Sequence, residues 1–310
     1  MKVRSLRAPI PWRAAALAVL ILAGTAASAQ VPRVAVSILP QKYFVDRISG
    51  GAYSALVLVG PGQNPHSYEP TPRQMADLGS AAAWLTIGVD FENGLVPKVR
   101  NLYPRLRLVD TTEGLRFRSL QAHFPDEDEH GPDEDEHGPD EDEHGHPEGG
   151  RDVHVWMGRE GAAAQARRVR DVLTALDPGK AAVYARNHDA LVRDIDAVFD
   201  DLAETLTPLR GRPVFVYHPA FGYFLDEFGI EQVAVEAGGK EPTQKNLAAL
   251  IERARRENAR VIFVQPQFSK SAARTVAGAI GGVVVEIDDL APDWLANLKK
   301  MGDALKAAAR

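Results

Sequence analysis

Short apolar runs rich in Val, Ile and Leu recur along the chain. In the first half they are "VAVSIL" (34–39), "ALVLVG" (55–60), "AWLTIG" (83–88) and "LRLVD" (106–110). In the second half they are "PVFVYH" (213–218), "QVAVE" (232–236), "RVIFVQ" (260–265) and "VVVEID" (283–288). Runs this short and this continuous predict strands buried on both faces. The segments between them carry helical patterns and helix starts. Thr71-Pro72 reads as an N-cap followed by Pro at the first helical position. Thr243 is placed to cap "QKNLAALIERARREN", and Ser269 to open "KSAARTVAGAIG". Strands alternating with helices predict an α/β protein with mainly parallel sheets.

One predicted helix is longer than the others. It opens at Asp177-Pro178 and runs to about Thr207, with Tyr184, Leu191, Ile195, Val198, Leu202 and Leu206 spaced by three, four or seven. It separates two groups of four strands. The predicted organisation is an N-terminal α/β lobe over 30–176, a linking helix over 177–207 and a C-terminal α/β lobe over 208–310. The length of 310 residues suits two domains.

Two segments fall outside this pattern. At the N-terminus, Lys2, Arg4, Arg7 and Arg13 precede the apolar run "AAALAVLILAG", and "ASA" at 27–29 fits a cleavage site. This predicts a signal peptide over 1–29 and export to a bacterial periplasm. The chain has no cysteine, which excludes disulfides and lipid attachment through an N-terminal Cys. The expected product is a soluble, monomeric periplasmic protein without a lipid anchor. The second segment is "PDEDEHGPDEDEHGPDEDEHGHPEGG" (125–150), a seven-residue unit repeated three times. Gly and Pro interrupt each unit, and no apolar residue lies between Phe124 and Val153. Such a stretch cannot offset its ordering entropy by burial, so 124–150 is expected to be a disordered acidic loop bearing His130, His137, His144 and His146, with His123 at its border.

That loop also accounts for the charge. Residues 126–149 hold thirteen carboxylates and no Lys or Arg. Without them, and without the four positive charges of the signal, a net −6 becomes +3. No basic stripe stands out, which excludes a nucleic-acid partner.

Outside the loop, three histidines occupy turns or strand ends. His66 lies in "PGQNPHSYEPTP", His154 in "DVHVW", and His218 ends "PVFVYH". Asp288 ends "VVVEID". In an open α/β sheet, ligands bind beyond the carboxyl ends of the strands. Three imidazoles and a carboxylate delivered there make a tetrahedral site that suits Zn²⁺. The His-rich tract is itself a compositional mark of metal binding. On spacing alone the alternative stands that these are ordinary loop residues, and His188, in mid-helix, reads as a packing or surface residue.

Several stretches together resemble the zinc/manganese-type solute-binding proteins of bacterial ABC transporters, the zinc-uptake branch in particular. They are "VSILP" (36–40), "VGPGQNPHSYEPTPRQMADL" (59–78), "IGVDFE" (87–92), "DVHVWM" (152–157), "VYHPAFGYFLDEFGI" (216–230), "EPTQKNLAALIERARRENARVIFVQPQFS" (241–269) and "EIDDLA" (286–291). The resemblance implies two lobes bridged by one long rigid helix, with metal in the cleft, and His66, His154, His218 and Asp288 as ligands. His218 stands where manganese-type members tend to have Glu, which favours zinc. The chain departs from the pattern at Val153, Gly158-Arg159, Pro219 and Asp289. Asp289 follows Asp288 directly, so another carboxylate or water as fourth ligand stays open, with Glu69 the nearest alternative in the first metal loop.

The expected function is capture of Zn²⁺ and its delivery to an inner-membrane ABC permease, without catalysis. Four protein ligands leave no open position on the metal, whereas catalytic zinc keeps one. The alternatives are a manganese or iron carrier, a zinc hydrolase with an open position, and a zinc buffer acting through the loop alone. The loop histidines are expected to bind zinc weakly and pass it to the cleft.

Overall fold

The computed structural model describes residues 31–120, 150–236 and 243–309. The expected signal peptide and the loop histidines 123, 130, 137, 144 and 146 lie outside the described residues.

All eight apolar runs are strands. The first sheet holds β1 (Arg33–Val36), β2 (Ser54–Val57), β3 (Ala83–Thr86) and β4 (Arg107–Asp110). The second holds β5 (Pro213–Val216), β6 (Glu231–Ala234), β7 (Val261–Val264) and β8 (Val283–Glu286). Every pairing is parallel. The orders are β2-β1-β3-β4 and β6-β5-β7-β8, so the two sheets share one topology. In each, the order reverses beside the first strand, where a crevice opens at the carboxyl ends. Most of the runs read from the sequence extend two or three residues past the strand. His218 and Asp288 therefore lie just beyond β5 and β8 rather than inside them.

Helices connect the strands. They are α1 (Leu39–Ser49), α2 (Pro72–Gly79), α3 (Asp90–Leu102), α4 (Arg159–Leu176), α5 (Ala181–Thr205), α6 (Gly222–Glu227), α7 (Gln244–Arg256), α8 (Lys270–Ala279) and α9 (Trp294–Ala308). Thr71 caps α2 by accepting from the Gln74 N–H, and the Gln74 side chain closes a capping box. Thr243 and Ser269 cap α7 and α8 as expected. The long helix is α5, 25 residues and therefore about 37 Å. Asp177-Pro178 opens a single 3-10 turn before it instead of its own first turn. Among the described residues, no helix is long and apolar enough to cross a membrane.

The halves are joined by more than α5. Trp294, at the start of α9, packs against Phe44 of α1, with ring centroids 5.1 Å apart. Gly302 of α9 lies so close to Leu202 of α5 that a Cβ there would collide with it. One buried apolar cluster runs without interruption from Val34, Trp84 and Leu85 through Val155, Trp156 and Leu191 to Val216, Phe221 and Ile287. A smaller cluster fills the far side of the second sheet, around Phe215, Val233, Ile262 and Val276. Residues 31–309 accordingly fall within one compact unit.

Candidate metal centre

Three segments bring His66, His154 and His218 together. His66 sits on the turn-rich loop between β2 and α2, where its N–H donates to Asn64 Oδ1 at 2.9 Å. His154 is held the same way: its N–H donates to Asp152 Oδ1 at 3.0 Å, and one 3-10 turn over Val155–Met157 follows. Asx turns of this kind fix a short loop without a strand or helix around it. His218 lies two residues past β5. Buried Gln265, beyond β7, donates to the His218 carbonyl at 3.1 Å and accepts from its N–H.

The imidazoles meet edge on. His66 Nε2 is 3.0 Å from His218 Nε2, and His218 Nε2 is 3.2 Å from His154 Nε2. Each Nδ1 faces a carboxylate. His66 Nδ1 lies 2.6 Å from Asp90 Oδ2, His154 Nδ1 lies 2.8 Å from Asp152 Oδ1, and His218 Nδ1 contacts Glu236 Oε1. An ionised carboxylate only accepts, so each Nδ1 carries the proton and each Nε2 turns a lone pair inward. Three lone pairs at this separation repel unless a shared cation, proton or metal, lies among them. A tetrahedral ion bonded to nitrogen at about 2.05 Å spaces its ligands about 3.3 Å apart, close to what is seen. A carboxylate behind each ligating imidazole is the usual support of a metal site.

The site is enclosed on two sides. His154 and His218 are buried, while the His66 side chain keeps 21 % exposure and marks the open side. Phe268 stacks on His218 at 4.7 Å, and Trp156 leans on His154 at 5.2 Å. Electrostatics separate the three rings. Burial and the charges of His154 and His66 hold His218 well below the ordinary histidine value. Burial also opposes charge on His154, but the hydrogen bond to Asp152 and the charges of Asp152, Asp289 and Asp90 outweigh it and raise its pKa. Asp90 is lowered, chiefly by its bond to His66.

Neither Asp288 nor Asp289 is in this group. Among the described residues, the donor atoms within 4.8 Å of one another are those of the three histidines. Asp288 spends Oδ1 on the N–H of Leu290 at 2.9 Å, closing its own Asx turn. Its neighbour Asp289 is one of the carboxylates whose charge acts on His154. Asp289 is buried, accepts from Gln267 Nε2 at 2.7 Å, and is pushed up to about 6 by burial against the opposing pull of His154. Its carbonyl accepts from Trp156 Nε1 at 2.8 Å, tying this loop to the turn that carries His154. Glu69 lies on the exposed loop after His66 and is not among the converging donors. His188 pairs with its neighbour Asp189 on α5, away from the centre.

The supporting carboxylates were not singled out in the sequence. Two had a signal. Glu236 lies two residues past β6, as His218 does past β5, and Asp152 stands two residues before His154 in an Asx-turn position.

A model of the family described as zinc-uptake complex component A, periplasmic, matches residues 34–308. The chain belongs to this family. The high-affinity zinc uptake system protein ZnuA of Paracoccus denitrificans is 31% identical over 267 residues, covering 81% of this chain and 82% of its own. The zinc-binding lipoprotein AdcA of Streptococcus pneumoniae is 26% identical over 264 residues, 82% of this chain. The chain spans about half the length of that relative, 48%. A crystal structure of ZnuA superposes with a TM-score of 0.78 at 28% identity, covering 90% of this chain and all of the other. The periplasmic zinc-binding protein TroA from Treponema pallidum shares the fold, with a TM-score of 0.74 at 20% identity.

Proposed function

We propose that this protein captures Zn²⁺ in the periplasm through His66, His154 and His218 and hands it to an ABC-type import permease. The carrying observation is the convergence of three Nε2 atoms, each backed by a carboxylate, in a chain of the zinc-uptake family. The imidazoles are presented in the tautomer that binds metal, so capture costs little reorganisation. The hydrated ion enters on the His66 side and exchanges waters for three nitrogens. Imidazole donors with a carboxylate suit zinc better than the harder manganese ion.

For the fourth position we favour Asp289, whose charge acts on His154, over Asp288, which the family resemblance implied. Protein ligands at all four positions make this a carrier without an open catalytic site. It works as a soluble monomer without a lipid anchor, released from a signal peptide, and the acidic His-rich loop gathers zinc without forming the tight site.

Asp288→Ala and Asp289→Ala separate the two carboxylates. Zinc competition against a chromophoric chelator is expected to show about tenfold or greater weakening for Asp289→Ala and little change for Asp288→Ala. The reverse order transfers the fourth ligand to Asp288. Equal, wild-type affinity in both leaves the position to water.

A further inference from the structure

Arg118 has no part in the site as described so far, yet it touches both halves of the molecule. It lies between β4 and residue 120, on a short clasp that closes before and after residues 121–149. Within the clasp, the Leu120 N–H donates to the Gly150 carbonyl at 2.7 Å, the Asp152 N–H donates to the Arg118 carbonyl at 2.9 Å, and Ser119 bridges Arg151 antiparallel. The Arg118 guanidinium points two ways. Nη1 donates to Asp152 Oδ2 at 2.8 Å, while Nε and Nη2 donate to Asp226 Oδ2 and Oδ1 at 2.5 and 3.3 Å. Asp226 belongs to α6, in the second half of the chain. The other Asp152 oxygen holds His154 Nδ1 and the His154 N–H.

A continuous polar chain therefore runs Asp226–Arg118–Asp152–His154 from the C-terminal lobe to a zinc-facing imidazole. A second contact follows the same path. Tyr223 of α6 accepts from the Arg118 N–H at 2.9 Å and donates to the Asp152 carbonyl at 2.8 Å. The close approach explains Gly222: a Cβ there would collide with the Arg118 guanidinium.

The two ends of the chain differ in burial. The Asp152 side chain is fully buried and that of Asp226 is 52 % exposed. Open to solvent at its Asp226 end, the Arg118–Asp226 pair separates at lower cost than a buried one. A buried carboxylate cannot lose its partner so cheaply. If α6 moves, Arg118 therefore stays with Asp152 but loses the fork that aims it. Resting on the zinc reading above, we infer that Arg118 is a positioning residue that couples contact between the lobes to the orientation of His154, and so sets how fast zinc is released. The same lobe movement that a permease imposes on the protein would loosen one zinc ligand.

The test measures zinc dissociation into excess chelator, with the visible spectrum of the Co²⁺-loaded protein as a report on ligand geometry. Arg118→Ala is expected to speed release by about tenfold to a hundredfold and to shift the Co²⁺ bands, in the range seen when outer partners of metal ligands are lost. Gly222→Ala, which changes no charge, is expected to match it. Arg118→Lys keeps the charge for Asp152 but not the fork, so it should behave like Asp226→Asn, with a several-fold faster release. A merely structural role lowers the melting temperature and leaves both readouts unmoved well below the transition. Release within about twofold of wild type in Arg118→Ala and Gly222→Ala overturns the inference, as does wild-type release in Asp226→Asn. Wild-type protein that binds no zinc overturns the underlying zinc reading instead.

Discussion

His218 shows how much a single residue owes to its surroundings. Its ring is buried, stacked on Phe268 and backed by buried Glu236. Burial and its two neighbours keep it neutral, and the Glu236 contact directs its free lone pair to the centre. Glu236→Gln keeps the shape but weakens the acceptor, and zinc affinity is expected to fall by about tenfold to a hundredfold in a chelator competition assay. Two groups with shifted values contribute to the pH dependence of zinc binding. Zinc needs a neutral imidazole and an ionised carboxylate. His154 is held above the ordinary histidine value, chiefly against burial by its bond to Asp152, and Asp289 sits at about 6. On the acid side of these values each carries a proton that zinc must displace, whereas His218 adds no step there. Affinity should fall as the pH drops below about 6, with His154 and Asp289 both contributing, and level off above the His154 range. A pH-independent affinity over that interval contradicts the assignment of both groups. The histidines were legible because imidazole at a strand end is a strong chemical signal. The choice between Asp288 and Asp289 was not, because adjacent residues in extended chain point to opposite sides and a one-residue shift exchanges them. Asp90 reaches His66 only because α3 begins beside the β2–α2 loop, a juxtaposition made by packing.

At the scale of elements, the strands do little more than deliver chain to the cleft. β5 ends at Val216 and His218 follows two residues later; β6 ends at Ala234 and Glu236 follows at the same offset. The β-branched runs made all eight strands readable, and Thr71, Thr243 and Ser269 marked three helix starts through an accepting side chain before the first turn. The connection from β4 to α4 was less readable, because the 155–157 turn has no periodicity and its geometry comes from a close approach. Gly161 in the first turn of α4 lies directly over the Val155 carbonyl, where a Cβ would meet backbone. Gly161→Ala must displace the turn that follows His154. It is expected to destabilise the protein by about 1–3 kcal/mol in urea unfolding and to weaken zinc binding with it. Unchanged stability and binding would show that this turn is not held as described.

For the whole molecule, the decisive feature is that two sheets of identical strand order face one cleft across a continuous core. The alternation of strands and helices announced two α/β halves, and Tyr184, Leu191 and Ile195 announced the long α5. The return of α9 to α1 was not visible, since Trp294 meets Phe44 across 250 residues of chain. With α5, α9 and the shared core all joining the halves, wide hinge opening would expose a large apolar surface, so release is expected to proceed through small displacements near the site. The central claim is that the three histidines anchor one tight zinc site without help from the acidic loop. Its most direct test is a zinc competition titration on the protein with residues 125–149 deleted, compared with His66→Ala, His154→Ala and His218→Ala in the same background. One ion per parent chain and at least about tenfold weaker binding in each variant are expected. Loss of tight binding on deletion alone, or unchanged affinity in the three variants, would contradict it.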